Sequence, residues 1–301
     1  MHTEYVTTEY VHRRLRLRPV LALVLLVLSA CGARSAAPAP VGGGRAAVAV
    51  DGIGELVDVG GDQVAPIGSV AKVMTAYLVL RDHPLADGDD GPVLVVTAAD
   101  EADYRSRIAS GQSLLEVRTG DRLTERQAVE ALLVPSANNI ADLLARWDSG
   151  SVDAFVARMN ATAADLSMAR THYADPSGFD PATVSSPRDQ VALAQEAMQI
   201  PALAQIAAMR SVQLPRVGAV ANYNRMLGVD GVVGLKTGST DQAGGNLLFA
   251  AWVPVDGRDR LMVGAVFGQL VGHSTDEQLD RTFAVSRSII EQATALAERA
   301  A

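Results

Sequence analysis

Strand-like and helix-like patterns are distributed unevenly along this chain, and that distribution most constrains its fold. Apolar, β-rich segments occur near both ends, whereas the middle section, about residues 95–210, is mostly helical. This order indicates that the two ends of the chain form one half of the domain around a shared sheet, and that the helical section between them forms the other half. A cleft between two such halves is a natural place for a binding site.

Turn residues delimit the β-rich segments. Two short strands, Ala46–Val50 and Glu55–Val59, flank Asp51-Gly52, a pair that is typical of hairpin turns. Later segments predict three longer strands, Gly231–Lys236, Asn246–Pro254 and Leu261–Gln269, and an amphipathic helix from about Thr275 to Arg299.

Helix-start signals recur through the middle section. Thr124 and Gln127 match a capping box, in which each side chain bonds the other residue's backbone N–H. Ser151 is expected to cap a helix that runs to about residue 167. Ser186 precedes Pro187, and proline is favoured in a first helical turn.

Composition limits the classes of function. Of the 301 residues, 49% are hydrophobic, which is enough to build a large core, and both Trp147 and Trp252 are expected in it. The formal charge of −8 argues against a nucleic-acid partner, which would favour a basic face. The five histidines show no metal-ligand spacing.

The first thirty residues have the layout of a secretory signal peptide. Four arginines between residues 13 and 18 precede the apolar run Val20–Leu28, which is too short to span a membrane. The segment Leu28–Cys31 resembles a bacterial lipobox, so Cys31 is expected to carry lipid, the alternative being ordinary cleavage nearby. We therefore expect a signal peptide over 1–30, an Ala/Pro/Gly tether over 31–44 and a globular domain over 45–301, exported and lipid-anchored at the outer face of the bacterial cytoplasmic membrane.

Ser69 and Lys72 are the first candidates for chemistry. A helical pattern begins at Ser69, and a spacing of three places both side chains on one face. A serine hydroxyl is a weak nucleophile until a base accepts its proton, and a lysine with a lowered pKa can be that base. The alternative is a capping serine beside a solvated lysine.

Two further segments carry polar groups suited to a site. Ser136 and Asn138 precede an apolar helix, and could relay a proton and hydrogen-bond a carbonyl, or simply form a capping loop. Lys236-Thr237-Gly238 follows an apolar strand; the cation and hydroxyl suit a carboxylate, and Gly238 suggests close approach by a ligand. The alternative is an ordinary strand end.

Taken in order, Ser-x-x-Lys, Ser-x-Asn and Lys-Thr-Gly are the motif set of penicillin-binding proteins and serine β-lactamases. The words around them narrow the resemblance, which covers about residues 45–290. Five segments resemble parts of the low-molecular-weight serine D-alanyl-D-alanine carboxypeptidases, the peptidase S11 family. They are Pro66–Tyr77, Leu132–Asn138, Asp175–Phe179, Asn222–Leu227 and Asp230–Thr240.

This resemblance implies an α+β fold of the β-lactamase/transpeptidase type, an antiparallel sheet flanked by helices with a helical subdomain over about 95–210. It implies that Ser69 is acylated by peptidoglycan stem peptides ending in D-Ala-D-Ala, that Lys72 is the general base and that β-lactams are covalent inhibitors. Ser136 would relay the proton, Asn138 would hold the peptide, and Gly238 would also contact the substrate. Lys236 and Thr237 would bind the carboxylate, and the backbone N–H groups of Ser69 and Ser239 would form the oxyanion hole. No cofactor or metal is needed.

Related activities on the same fold remain as alternatives: a β-lactamase, a D,D-endopeptidase or an inactive penicillin-binding sensor. Class A β-lactamases deacylate with a glutamate between the second and third motifs. Residues 139–195 contain no glutamate. This lowers the expectation of rapid β-lactam hydrolysis and favours a penicillin-sensitive carboxypeptidase.

Overall fold

Both ends of the described chain contribute strands to one antiparallel sheet. The computed structural model describes residues 44–301; the predicted signal peptide, Cys31 and nearly all of the predicted tether lie outside the described residues. The strands are β1 (Arg45–Val50), β2 (Gly54–Val59), β3 (Ala65–Pro66), β4 (Val93–Val95), β5 (Arg122–Thr124), β6 (Val184–Ser185), β7 (Ser211–Leu214), β8 (Gly218–Ala221), β9 (Val232–Thr240), β10 (Gly244–Val255) and β11 (Arg258–Gln269). The main sheet has the order β2-β1-β11-β10-β9, and the other six strands form three small pairs.

The helices are α1 (Lys72–Asp82), α2 (Ala98–Arg107), α3 (Glu125–Leu133), α4 (Asn138–Ser149), α5 (Val152–Asp165), α6 (Pro187–Ala197), α7 (Pro201–Ala207) and α8 (Thr275–Ala300). Short 3₁₀ turns occupy Gly68–Ala71 and Ile108–Ser110. None of these eight helices, as far as residues 44–301 are concerned, is both long enough and apolar enough to cross a membrane.

Alternation along the strands gives the sheet two apolar faces, because successive side chains point to opposite sides. Leu248 and Ala250 of β10 belong to the larger core, which includes α1, α3, α4 and the helices α6 and α7 that contact this face. Leu247 and Phe249 belong to a second core beneath α8. Helices therefore pack on both faces of the sheet, and the antiparallel α+β architecture expected from the resemblance is confirmed.

Several local predictions are confirmed. Thr124 forms the capping box of α3, and Ser151 and Ser186 cap α5 and α6 through their side chains. The facing ends of β10 and β11 extend further than predicted, to Val255 and Arg258, because a two-residue turn joins these strands directly. Asp256 and Gly257 both have positive φ there, as a type I′ hairpin requires.

The core prediction holds for one tryptophan only. Trp147 is half-buried against the larger core. Trp252 is 48% exposed, so its assignment to the core was wrong. It lies on the same face of β10 as Leu248 and Ala250, and lines an open cavity bordered by Met198 and Gln199, which follow α6. Apolar character alone does not show whether a neighbouring element covers a strand residue.

Candidate active site

Ser69 and Lys72 meet at the junction between a 3₁₀ turn and α1. The Lys72 Nζ lies 2.8 Å from the Ser69 Oγ. The lysine is the first residue of α1 and is fully buried, so it is not a solvated surface lysine. Nor does Ser69 cap a helix with its side chain, since Ile67 and Ala71 occupy the two N-cap positions. The pair is therefore an internal contact with no capping role.

Two further acceptors surround the Lys72 amine. Its Nζ donates to the Asn138 Oδ1 at 2.7 Å and to the Ser177 backbone carbonyl at 2.9 Å. Burial, followed by the nearby charge of Lys236, holds the pKa of Lys72 well below its usual value, because both disfavour the ammonium form. A larger neutral fraction makes this amine a better proton acceptor.

The second motif forms a strained turn before α4. Ser136 has a φ of 64°, a conformation that is uncommon for residues other than glycine and is found at functional sites. Its Oγ is buried and has no hydrogen-bond partner among the described residues. Ala137, not Ser136, is the N-cap residue, so the simple capping interpretation of this loop was wrong. The neighbouring Asn139 bonds both backbone polar groups of Leu115.

The third motif lies inside β9, and the interpretation of Lys236–Gly238 as an ordinary strand end with a turn was wrong. Lys236 is buried, its Nζ donates to the Thr237 carbonyl at 3.0 Å, and burial lowers the pKa of Lys236 to about 7. A Cβ at Gly238 would lie 2.7 Å from the Ile67 carbonyl oxygen. The close packing of β9 against the turn that carries Ser69 thus favours glycine at this position, and the expected close approach of a ligand stays a prediction.

The same close approach brings two backbone N–H groups together. A Cβ at Gly238 would lie 3.2 Å from the Ser69 nitrogen, and one at Gly68 would lie 3.4 Å from the Ser239 nitrogen. The Ser239 hydroxyl donates to the Gln278 side chain of α8, which fixes this end of β9. The Ser69 and Ser239 nitrogens therefore flank one contact between the turn and the strand.

A loop at residues 175–179 completes the wall behind Lys72. Asp175 accepts hydrogen bonds from the backbone N–H groups of Ser177, Gly178 and Phe179. A Cβ at Gly178 would lie 1.9 Å from the Gly68 carbonyl oxygen, so only glycine fits. This contact holds the loop against the turn that carries Ser69, where the Ser177 carbonyl accepts a hydrogen bond from Lys72.

These elements border an open cleft of about 520 Å³, which we call the Ser69 cleft. Its lining includes Ser69, Ser136, Asn138, Thr237, Gly238 and Ser239 from the predicted site, together with Gln112, Phe179, Tyr223, Thr240, Asp241 and Gln242. Lys72 and Lys236 lie buried behind it. Within residues 44–301, no group of three or more His, Cys, Asp or Glu side chains could hold a metal ion.

Gln112 is the neighbour that sequence reasoning missed. Its Oε1 accepts from the Asn138 Nδ2 at 2.8 Å, and its Nε2 donates to the Ser110 Oγ at 2.9 Å. Because Lys72 needs the Asn138 oxygen and Gln112 takes one amide hydrogen, the Asn138 side chain has one orientation that satisfies both. Nothing in the local sequence distinguishes Gln112, since only tertiary structure places it beside Asn138.

An antiparallel sheet flanked by helices, with three motifs around one cleft, defines the β-lactamase/transpeptidase-like class. The Peptidase S11 model, described as D-alanyl-D-alanine carboxypeptidase, matches residues 44–264. The chain belongs to this family of low-molecular-weight penicillin-binding proteins.

Individual relatives agree with this assignment. The chain is 33% identical over 196 residues to a D-alanyl-D-alanine endopeptidase of Pseudomonas aeruginosa, covering 62% of this chain and 60% of that protein. It is 32% identical to a D-alanyl-D-alanine carboxypeptidase of Mycobacterium tuberculosis, covering 58% of this chain and 64% of that protein. The matches thus span less than two thirds of the length of these relatives.

Solved structures show the same fold. The Streptomyces K15 DD-transpeptidase matches with a TM-score of 0.71 at 25% identity, over 87% of this chain and 99% of that one. A D-alanyl-D-alanine carboxypeptidase from Mycobacterium tuberculosis matches with a TM-score of 0.71 at 28% identity, over 87% and 94% of the two chains.

Proposed function

We propose that this chain is a penicillin-sensitive serine D-Ala-D-Ala carboxypeptidase, which trims terminal D-alanine from peptidoglycan stem peptides through an acyl-Ser69 intermediate. The observation that supports this most directly is the fully buried Lys72 amine, 2.8 Å from the Ser69 hydroxyl. Family membership supports the substrate class.

The hydrogen bonds of Lys72 suit a general base. A neutral lysine amine has two hydrogens and one lone pair. The Asn138 oxygen and the Ser177 carbonyl can only accept, so they take both hydrogens. The lone pair is then directed at the Ser69 hydroxyl, whose proton it accepts as the oxygen attacks the penultimate D-Ala carbonyl. The charged form would instead donate to Ser69 and could accept nothing.

Substrate binding uses the other side of the cleft. Lys236 and Thr237 bind the terminal carboxylate, with Gly238 and Ser239 lining the same strand, and a remaining N–H of Asn138 holds the peptide. The Ser69 and Ser239 backbone N–H groups stabilise the negative oxygen that forms on attack. Collapse of this intermediate breaks the C–N bond. The Ser136 Oγ, which is buried and has no partner in the described chain, passes the proton that Lys72 took from Ser69 to the leaving D-alanine nitrogen. Water then hydrolyses the Ser69 ester.

Mass spectrometry of products from a pentapeptide stem and from a crosslinked muropeptide tests the proposal. We expect loss of one D-alanine from the pentapeptide. Cleavage of the crosslink alone would indicate an endopeptidase, the activity named for the Pseudomonas relative. A protein that labels with penicillin but releases no D-alanine from either substrate would be a sensor.

Substrate affinity should depend on pH through Lys236. Since burial lowers the pKa of Lys236 to about 7, the group is charged below that pH and becomes neutral above it. KM for a peptide ending in D-Ala-D-Ala should therefore rise with pH through 7, by up to about tenfold per pH unit. Lys236→Arg, which keeps its charge, should flatten the dependence. A KM that does not change with pH in the unmodified enzyme would show that the charge of Lys236 does not bind the carboxylate.

Penicillin should inhibit rather than be hydrolysed quickly. The aspartate nearest in sequence to the second motif, Asp142, is paired with Arg107. Asp175 is saturated by hydrogen bonds from its own loop and from the Thr183 hydroxyl. Neither is available to activate water as the glutamate of class A β-lactamases does. Intact mass should show a penicilloyl-Ser69 adduct that outlasts many cycles of peptide turnover. Penicillin turnover as fast as peptide turnover would instead identify a β-lactamase.

We also propose that the mature protein is anchored at the outer face of the cytoplasmic membrane by lipid on Cys31, a residue outside the described chain. The lipobox-like sequence Leu28–Cys31 supports this. The protein should fractionate with membranes, and Cys31→Ser should release it. One acyl chain anchors only marginally, so stable retention needs more than one. A mature N-terminus beyond residue 31 would contradict lipidation.

A further inference from the structure

Three aromatic side chains of the described chain are large and highly exposed. Phe179 is 44% exposed, Tyr223 46% and Trp252 48%. Phe179 and Tyr223 line the Ser69 cleft, whereas Trp252 lines a second cavity of about 750 Å³. The cavity beside Trp252 is larger than the Ser69 cleft and carries an exposed aromatic side chain, which makes it a candidate binding site of its own.

This cavity, the Trp252 groove, is built on the uncovered end of the sheet. Its floor continues the face of Leu248 and Ala250, and the chain around the end of α6 and α7 forms one wall. The lining residues are Asp51, Gln195, Met198, Gln199, Ala204, Gln205, Val233, Trp252, Arg258, Asp259, Arg260, Leu261 and Val263.

The Trp252 groove is separate from the Ser69 cleft. Gly245 of β10 pairs with Ser239 at the cleft, and Trp252 lies seven residues further along the same strand. At about 3.3 Å per residue the two positions are roughly 23 Å apart. A ligand in the groove therefore leaves the cleft open.

The sheet edge beside Trp252 is poorly suited to pairing with a peptide strand. Neighbouring β9 begins at Val232, and the Trp252 N–H already donates to the Gly231 carbonyl at 2.9 Å. Two residues on, where the next donor on that side would be, stands Pro254, which has no N–H. Recognition in the groove must therefore come from side chains.

Those side chains favour an uncharged ligand rich in hydrogen-bonding groups. Two arginines, Arg258 and Arg260, balance Asp51 and Asp259, so the lining has no net charge in a chain of −8. The Arg260 Nε is buried without a partner in the described chain. Three glutamine amides, which both donate and accept, complete the polar rim.

We propose that the Trp252 groove binds an uncharged oligosaccharide, with one sugar ring stacked on the indole of Trp252. A pyranose ring presents an apolar C–H face, which matches the exposed indole, and a rim of hydroxyl groups, which match amides and guanidinium groups. If Ser69 acts on peptides carried by a glycan strand, a point that rests on the proposed function, occupancy of the groove raises the local concentration of those peptides.

Binding of a β-1,4-linked N-acetylglucosamine tetramer tests this directly. With Trp147→Phe, Trp252 is the only tryptophan, and its fluorescence should change saturably with added tetramer. In calorimetry on the otherwise unchanged protein, Trp252→Ala should weaken affinity by about tenfold or more, a difference easily resolved. Gln199→Ala, on an exposed wall position, should weaken it several-fold. Unchanged thermal unfolding of each variant confirms that it is folded.

Two controls separate the groove from the Ser69 cleft. Protein already acylated by penicillin should bind the tetramer equally well, and Trp252→Ala should release D-alanine normally from a small soluble peptide. Three results would each overturn the proposal: no saturable binding of the tetramer, an affinity of Trp252→Ala and Gln199→Ala equal to that of the unmodified protein, or loss of binding on acylation. Because the fluorescence and calorimetry measurements of tetramer binding do not require peptide cleavage, failure of the proposed carboxypeptidase activity would leave them interpretable.

Discussion

Replacing Ser69 by alanine is expected to abolish covalent labelling by a fluorescent penicillin and to lower D-alanine release by on the order of 10⁴-fold or more. The substitution removes the oxygen that forms the ester, while the Lys72 amine and the rest of the cleft stay in place. Because the Ser69 side chain caps no helix, its loss should cost little stability.

Ser136→Ala is the matched control for Ser69→Ala, since it removes a second hydroxyl from the same cleft. It should still be labelled at Ser69, but more slowly, because Ser136 moves a proton and forms no ester. Peptide mapping locates the adduct. An adduct on any residue other than Ser69, or labelling of Ser69→Ala, would exclude Ser69 as the nucleophile.

Replacing Lys72 by alanine is expected to slow acylation by about 10²- to 10⁴-fold, the usual contribution of a general base. Reversible binding before acylation should change far less, because the carboxylate is held by Lys236 and Thr237. Lys72→Arg distinguishes base catalysis from hydrogen bonding: arginine can still donate to Asn138 and Ser177, but it stays protonated and cannot accept the Ser69 proton. Both variants should therefore be slow.

The pH dependence of the acylation rate constant tests whether the neutral form of Lys72 is the active one. Burial and Lys236 lower the pKa of Lys72, so the amine is neutral above that pKa and protonated below it. The acylation rate constant should fall as pH decreases, and stopped-flow measurement with a chromogenic β-lactam would record it. Full activity of Lys72→Arg, or a rate that rises on acidification, would exclude Lys72 as the base.

Local sequence was sufficient for much of the fold. The hairpin at Asp51-Gly52 and the caps Thr124, Ser151 and Ser186 were predicted because turns and helix starts depend on neighbouring residues. The order of strands and helices also indicated a sheet formed from both chain ends. Exposure of Trp252 was not predictable, since it depends on where other helices end.

For the site, the sequence alone identified the candidate groups, because Ser69, Lys72, Ser136, Asn138 and Lys236 stand in motifs with characteristic spacing, and their roles stay predictions. Only the tertiary structure decided their environment. Burial that lowers the pKa of Lys72, the Ser177 carbonyl behind it and the Gln112 amide that orients Asn138 all depend on segments distant in sequence. Gly238 shows the same limit. Its motif is visible in the sequence, but the packing that would place a Cβ 2.7 Å from the Ile67 carbonyl oxygen exists only once the turn packs on the strand.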